Sequence, residues 1–485
     1  KYVAESQFGL KQILREEIGF DGVILTDWRS GYKAKPSALA TLDMTTGFCS
    51  YVYKDDLQKL VENGEVPEVV LDEMVDRILL LYLRTGVIDS KRGKGAVDTK
   101  TFRSRIRRIS ADGMVLLKNE KALLPLSAKT SIVCMGPGAK KVQLGGGSSA
   151  VNDGKGNRSI MDGLIDRFGK DNVRYETKAS RLARPLDQEQ VVVYCPVTAH
   201  SREGTDLDTI EIHTRQVAEI QALSELTSRL VVVLQNATAV DMTEWNDIPQ
   251  AILVAWYGGQ SCGDAVADVL CGEVNPSGRL PCTFGNAISD YACAQLKTWP
   301  ATPVVKKPYN KPGRTPEQRL VTYAKSPQFY CDYKEKNLVG YRWFDAKKIK
   351  PMYPFGYGLS YTTFSLSGMN VSSQGDGWQV SCTVMNTGKR AGADVVQLYL
   401  TAPEGASYAR SKILRAFKKV HLEPGESKEI TLVLRGNDLA SFDPTRKKWV
   451  AQAGLYRVEL SNTGASSVAL SDSFTLTEPA VYDTP

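Results

Sequence analysis

A chain of 485 residues with 42% hydrophobic and 24% charged content has the makeup of a globular protein, long enough for about three domains at roughly 150 residues each. Its mean hydropathy of −0.25 gives no sign of a membrane span, and a net charge of +7 is small for this length. The basic runs at Lys91–Lys94, Arg103–Arg108 and Arg446–Lys448 carry no interleaved aromatics, so neither nucleic acid nor membrane is an expected partner.

Helical periodicity covers Phe8–Glu17. Next comes Gly19-Phe-Asp-Gly-Val-Ile-Leu-Thr-Asp-Trp28, in which Val23, Ile24 and Leu25 form the continuous aliphatic run of a strand buried on both faces. That pattern predicts Asp27 at the carboxyl edge of a parallel sheet, the edge on which barrel enzymes keep their chemistry. Tyr53–Asn63 and Pro67–Arg84 read as helices, the second with Val70, Met74, Ile78 and Leu81 on one face and Gly86 as terminator. Residues 87–101 read as an exposed connector.

From there to Phe364, short apolar strands alternate with helices: Ser131–Met135, Gln190–Tyr194, Leu230–Leu234 and Ala251–Ala255, with helices at Arg215–Thr227 and Gly263–Leu270. This order predicts α/β layering around a mostly parallel sheet. Gly136-Pro-Gly138 and Gly145-Gly-Gly147 follow a strand but lack both the dinucleotide spacing and the P-loop lysine. Tyr291–Tyr330, rich in Lys, Pro and aromatics, reads as a long loop or insertion. From Ser365 onward, Trp378–Val384, Asp394–Leu400, Ser427–Leu434 and Gly454–Leu460 alternate with turns at Asn386–Gly388, Pro424–Gly425 and Asn462–Gly464, the pattern of a β-sandwich.

Nine cysteines include no CxxC pair, and only three histidines are present, His200, His213 and His421, so neither a zinc site nor a Ser-His-Asp triad is expected. Cys134, Cys195 and Cys382 lie in strand patterns and read as small core residues; the odd count forbids complete internal pairing and leaves open one or two disulfides, for instance Cys262 with Cys271 in neighbouring loops. A carboxylate followed by an indole, as at Asp27-Trp28, suits sugar chemistry. The C–H face of a sugar stacks on the indole while the carboxylate attacks or stabilises the anomeric carbon. On the residues alone, an Asp after a strand is more often a turn former or helix cap, by roughly three to one.

The segment Gly19–Trp28 resembles the nucleophile segment of glycoside hydrolase family 3, the retaining β-glucosidase type. Further matches follow in the family's order: Leu39-Ala-Thr-Leu-Asp-Met44, Leu116-Leu-Lys-Asn-Glu120 with Leu123-Leu-Pro-Leu126, Gly145-Gly-Gly-Ser-Ser149, Trp256-Tyr-Gly-Gly-Gln260, Gly272–Pro281 and Tyr353–Tyr361. The resemblance implies the end of a (β/α)8-type catalytic barrel over 1–86, a linker over 87–101, an α/β sandwich domain over 102–364 and a fibronectin type III-like domain over 365–485. It implies a retaining exo-acting β-glycosidase, most simply a β-glucosidase, that needs no metal or other cofactor.

Asp27 would be its nucleophile and Trp28 part of the sugar-binding wall. Glu203, in His200-Ser-Arg-Glu-Gly-Thr-Asp206 after the strand at 191–197, would be the acid/base that reaches across to the barrel. Arg202 and Asp206 would be its neighbours on the substrate side, setting the loop's conformation, and Glu211 is the rival acid/base. A whole barrel needs about 250 residues, yet one helical segment precedes Asp27. The expectation is therefore a chain whose barrel is completed by a second polypeptide; a permuted arrangement and a shortened, inactive protein are the alternatives. The expected location is secreted or periplasmic, although no signal peptide is visible in the sequence. Other readings are a non-catalytic carbohydrate-binding relative, a β-xylosidase and an N-acetylglucosaminidase.

Overall fold

The structure, a computed structural model, describes residues 2–27, 30–31, 33–46, 52–88, 95, 98–145, 156–182, 186–187, 189–198, 207, 209–298, 333–406 and 411–483. These fall into two compact units, one within residues 2–95 and the other within 98–483.

The first unit is built on helices. Gln7–Glu17 forms a helix of π-type turns, followed by α1 (Ala34–Leu39), α2 (Lys54–Glu62) and α3 (Glu68–Arg84). The expected strand at Val23–Leu25 is present only as one parallel bridge, Leu25 to Met44. It is not buried on both faces: Leu25 is 54% exposed, and Val23 and Ile24 are half-buried. A strand is covered on both faces only when neighbouring strands and helices supply both covers, and among the described residues Leu25 has one strand neighbour. In α3, Met74 is buried with Val70 and Ile78 beside it, whereas Val69, Val75, Leu79 and Leu83 stand exposed. Phe8, Ile18 and Phe20 are exposed as well.

The second unit opens with α4 (Thr99–Gly113), whose N-cap Asp98 accepts the Thr101 N–H; the helix thus begins inside the stretch expected as connector. A six-stranded sheet follows: β1 (Val115–Asn119), β2 (Ile132–Met135), β3 (Val173–Glu176), β4 (Val191–Tyr194), β5 (Leu230–Leu234) and β6 (Ala251–Val254), in the order β1-β6-β5-β4-β2-β3. All neighbours are parallel except β1 with β6. Residues of β2, β4, β5 and β6 are buried on both faces, which is why these strands read as unbroken aliphatic runs. Ile132, Cys134, Val191, Val193, Val231 and Val233 face α5 (Ile160–Phe168) and α7 (Cys262–Cys271), while Val133, Met135, Val192, Tyr194 and Val232 face α6 (Thr214–Ser224). Sequence reading did not mark β1, β3, α4 or α5. The strand β3, Val-Arg-Tyr-Glu, is a four-residue edge strand with one buried side chain, too short for its alternation to stand out.

All seven described cysteines are free, so the expected Cys262–Cys271 bridge is absent. Both residues lie in α7, at its first and last positions, and nine residues at 1.5 Å rise separate their Cα atoms by about 13 Å, beyond any disulfide. Cys134, Cys195 and Cys382 are core residues as expected.

The β-sandwich consists of the sheet β10-β9-β14-β15 and the sheet β11-β8-β7, where β7 is Phe364–Gln374, β8 Gly377–Asn386, β9 Gly392–Thr401, β10 Ile413–Leu422, β11 Ser427–Leu434, β14 Gly454–Ser461 and β15 Leu470–Leu476. A small sheet of β12 (Ser441–Asp443), β13 (Lys448–Ala451) and β16 (Ala480–Tyr482) flanks them. Val380, Val384, Leu398, Leu432, Tyr456 and Val458 interdigitate between the two large sheets. Gly425 and Gly464, in two of the expected turns, take positive φ.

The sandwich is bonded to the α/β part. Arg279 Nη2 donates to Asp394 Oδ1 at 2.8 Å, Gln397 Nε2 donates to Gly356 O at 3.0 Å, and the Leu414 N–H donates to Tyr341 Oη at 2.8 Å.

Candidate active site

Asp27 lies exposed at the end of the Val23–Thr26 segment, in which the backbone groups of Ile24 and Thr26 are all hydrogen-bonded. Asp43 Oδ2 accepts the Ile24 N–H at 2.7 Å, and Ile24 O accepts the N–H groups of Asp43 and Met44. Thr26 donates its N–H to Met44 O at 3.1 Å, and its Oγ1 and carbonyl accept the Thr46 N–H and hydroxyl, both at 2.8 Å. Beyond Asp27 the chain turns, with Ser30 Oγ donating to Asp27 O at 3.0 Å. Leu25 pairs in parallel with Met44 at a single bridge, and Asp27 follows two residues further toward the carboxyl end. Trp28, its expected sugar-facing neighbour, lies outside the described residues.

In the second unit the strand order fixes where a ligand can meet the sheet. The chain passes from β2 to β3 on one side, then returns to place β4 on the other side of β2. Such a reversal opens a crevice outside the carboxyl ends of the two strands, the ligand position in open α/β sheets. Gly136 at the end of β2 adopts φ +90°, and a Cβ there would lie 2.5 Å from Cys195 O. The Gly-Pro-Gly turn thus serves close approach of two backbones, with Gly138 N donating to Cys195 O at 2.9 Å.

The segment bearing Glu203 leaves from this same edge. Its stem is clamped by two glutamines. Gln216 Oε1 accepts the Val197 N–H at 2.7 Å while its Nε2 donates to Val197 O at 2.8 Å. Val197 bridges in parallel to Gln235, itself 1% exposed and bonded to Gln143 N and Gly138 O. The returning chain bridges Ile212 to Thr198 and Glu211 to Asp241. Arg202, Glu203 and Asp206 lie outside the described residues. The rival Glu211 is exposed, with its backbone tied into the returning bridge.

Two further residues at this edge were quoted in the motifs without being assigned a role. Trp256, after β6, holds φ +55°, strained backbone for a bulky residue and of the kind that gathers at functional sites. Its Nε1 donates to Gly113 O at 3.0 Å and its ring meets Phe284 edge-on at 6.5 Å. Tyr257 lies against Gly145, at the start of the Gly-rich loop. No sequence signal marks a left-handed tryptophan.

His213 caps α6 through Nδ1, accepting the Arg215 N–H, and His421 is exposed on β10. Among the described residues no group of three or more His, Cys, Asp or Glu is placed to hold a metal ion. Nor, among the described residues, is any helix long and apolar enough to cross a membrane.

The second unit is thus a doubly wound α/β domain bonded to a β-sandwich, and the first holds an exposed carboxylate just past the Leu25–Met44 bridge. Residues 114–361, just over half of the chain, match the glycosyl hydrolase family 3 C-terminal domain, and residues 394–466 match the fibronectin type III-like domain. The chain belongs to glycosyl hydrolase family 3. It is 30% identical to thermostable beta-glucosidase B of Acetivibrio thermocellus over 96% of this chain and 60% of that protein. It is 29% identical to an exo-alpha-(1->6)-L-arabinopyranosidase of Bifidobacterium breve over 98% of this chain and 61% of that protein. The crystal structure of the Bifidobacterium adolescentis GH3 beta-glucosidase superimposes with a TM-score of 0.84 at 28% identity, covering 98% of this chain and 67% of that one. The chain thus spans about three fifths of the length of the curated relatives it matches.

Proposed function

We propose that the protein is a retaining, exo-acting β-glycosidase that releases glucose from the non-reducing ends of β-glucosides or oligosaccharides. The observation that carries this reading is Asp27: an exposed carboxylate at the carboxyl end of a pinned strand segment, in a sequence that matches the family's nucleophile motif. Asp27 attacks the anomeric carbon and displaces the aglycone oxygen, which takes a proton from Glu203. Water, deprotonated by Glu203, then attacks the glycosyl ester, releases glucose and returns Asp27 as a carboxylate. Topology supports Glu203, whose segment departs from the switch point on a stem held by Gln216 and Gln235. Trp28 supplies an apolar wall, and Arg202 and Asp206 set the loop.

We further propose that Leu25 and Met44 belong to neighbouring strands of a (β/α)8-type barrel, completed by polypeptide beyond these residues, on a second chain or the same one. The exposed Phe8, Leu25, Leu79 and Leu83 support this, since apolar surface of that extent is ordinarily covered. The relatives' extra length agrees with it.

The test is a mechanism-based 2-deoxy-2-fluoro-β-glucoside. It should inactivate the active material and add one glycosyl mass to the peptide containing Asp27. Label on another carboxylate would overturn the assignment. Glu203→Ala should slow substrates with poor leaving groups by about 10²–10⁴-fold while sparing activated aryl glucosides. A second reading, an arabinopyranosidase, is favoured by the Bifidobacterium breve relative and is separated by the ratio of kcat/KM on aryl α-L-arabinopyranosides and aryl β-D-glucosides.

A further inference from the structure

We infer that Asp43 is the positioning residue of the nucleophile, acting through the backbone of the strand segment that carries Asp27; the inference rests on the reading of Asp27 given above. The Asp43 side chain has no solvent exposure. Its Oδ1 takes Arg77 Nε at 2.7 Å, and its Oδ2 takes both Arg15 Nη2 and the Ile24 N–H at 2.7 Å. Arg15 also donates to Phe20 O and to Gly22 O, so the same guanidinium that pairs with Asp43 holds the approach to the strand. Arg77 brings α3 to this point, and the helix Gln7–Glu17 brings Arg15.

One buried carboxylate therefore ties two helices to Ile24, three residues before Asp27, with Thr26 and Thr46 closing the other side. Stability alone is a weak reason for such an arrangement. Burying a charge and two guanidinium groups costs about as much as their attraction returns, and apolar packing of the same volume often does as well or better. A fixed geometry is what the hub provides: an uncharged replacement offers no rigid fork between two arginines and an amide N–H. Displacing a reacting group by about 1 Å costs on the order of 10²-fold in rate.

The decisive experiment compares Asp43→Asn with the parent, both as the full chain in its active form. Active sites are counted by the fluoroglucoside, so that kcat is expressed per reactive site. Asp43→Asn retains an acceptor for Ile24 but loses the charge that fixes Arg15 and Arg77. We expect kcat per titrated site to fall on the order of 10²-fold, with KM changed less than about threefold. An unchanged kcat per site with a lower melting temperature would overturn the inference and leave Asp43 a folding residue only.

Should Asp43→Asn not fold, Thr46→Val tests the other side of the same clamp. A fall in kcat per site at constant KM supports the positioning role, and an unchanged kcat overturns it. Asp27→Ala is the control that separates the two layers of argument. Turnover by Asp27→Ala would overturn the nucleophile reading and the positioning role with it. An inactive Asp27→Ala beside an unimpaired Asp43→Asn overturns the positioning role alone.

Discussion

Replacing Arg279 by methionine tests what holds the β-sandwich to the α/β part. Arg279 and Asp394 are 9% and 1% exposed in their side chains and lie 2.8 Å apart. Asp394 also accepts Asn462 Nδ2 at 2.7 Å and the Val395 N–H at 2.9 Å, so its charge is satisfied by one guanidinium and two neutral donors. Methionine fills similar space but strands the carboxylate, at a cost of about 3–5 kcal/mol for a buried partner left unpaired. At about 2–4 °C per kcal/mol for domains of 150–250 residues, the melting transition should fall by roughly 6–20 °C.

The double replacement Arg279→Met with Asp394→Leu removes both charges and should recover most of that loss, because the single variant's penalty is the orphaned carboxylate rather than the pair's net attraction. Scanning calorimetry at neutral pH is the assay. A single variant melting within about 2 °C of the parent, or a double variant losing the sum of both singles, would refute the reasoning.

Gly263→Ala should destabilise the α5–α7 contact by about 3 kcal/mol, since a Cβ there would lie 1.8 Å from Ser159 O and the two helix backbones would have to part; a chemical denaturation midpoint reports it. Burial raises the Asp345 carboxyl above its usual 3.8, with Lys412 opposing and Glu459 adding to the rise. A carboxyl raised on folding stabilises the fold below its unfolded value and loses that contribution as pH climbs through the folded one. Asp345→Asn should therefore raise the melting temperature at about pH 7 and bring no gain at about pH 3.5. Burial also pushes the Cys262 and Cys382 thiols up to about 11. Ellman's reagent at about pH 8, with peptide mapping, should thus modify Cys293 well before Cys134, Cys195, Cys262 or Cys382, which should react only on unfolding.

Much of the architecture was legible because it depends on local pattern. The runs in β2, β4, β5 and β6 are aliphatic at successive positions because both faces of the sheet are covered, and periodicity alone located them. The alternation in β8, β11 and β14 and the apolar run of β9 likewise marked strands of a sandwich. The ordered set of motifs from Gly19–Trp28 to Tyr353–Tyr361 pointed to the family, since such residue strings are readable without coordinates.

Other features depend on partners distant in the chain. Asp43 sits in a motif whose residue types say nothing of Arg15, Arg77 or Ile24, and only folding brings 28 and 34 residues of separation to hydrogen-bond distance. The exposure of Leu25, the helix that parts Cys262 from Cys271, and the left-handed turn of Trp256 were equally invisible. Sequence determined which segments become strands and helices, because propensity and periodicity act over a few residues. Tertiary structure decided the switch point between β2 and β4 and the hub behind Asp27, because strand order and buried charge pairing are set by contacts between segments far apart in the chain.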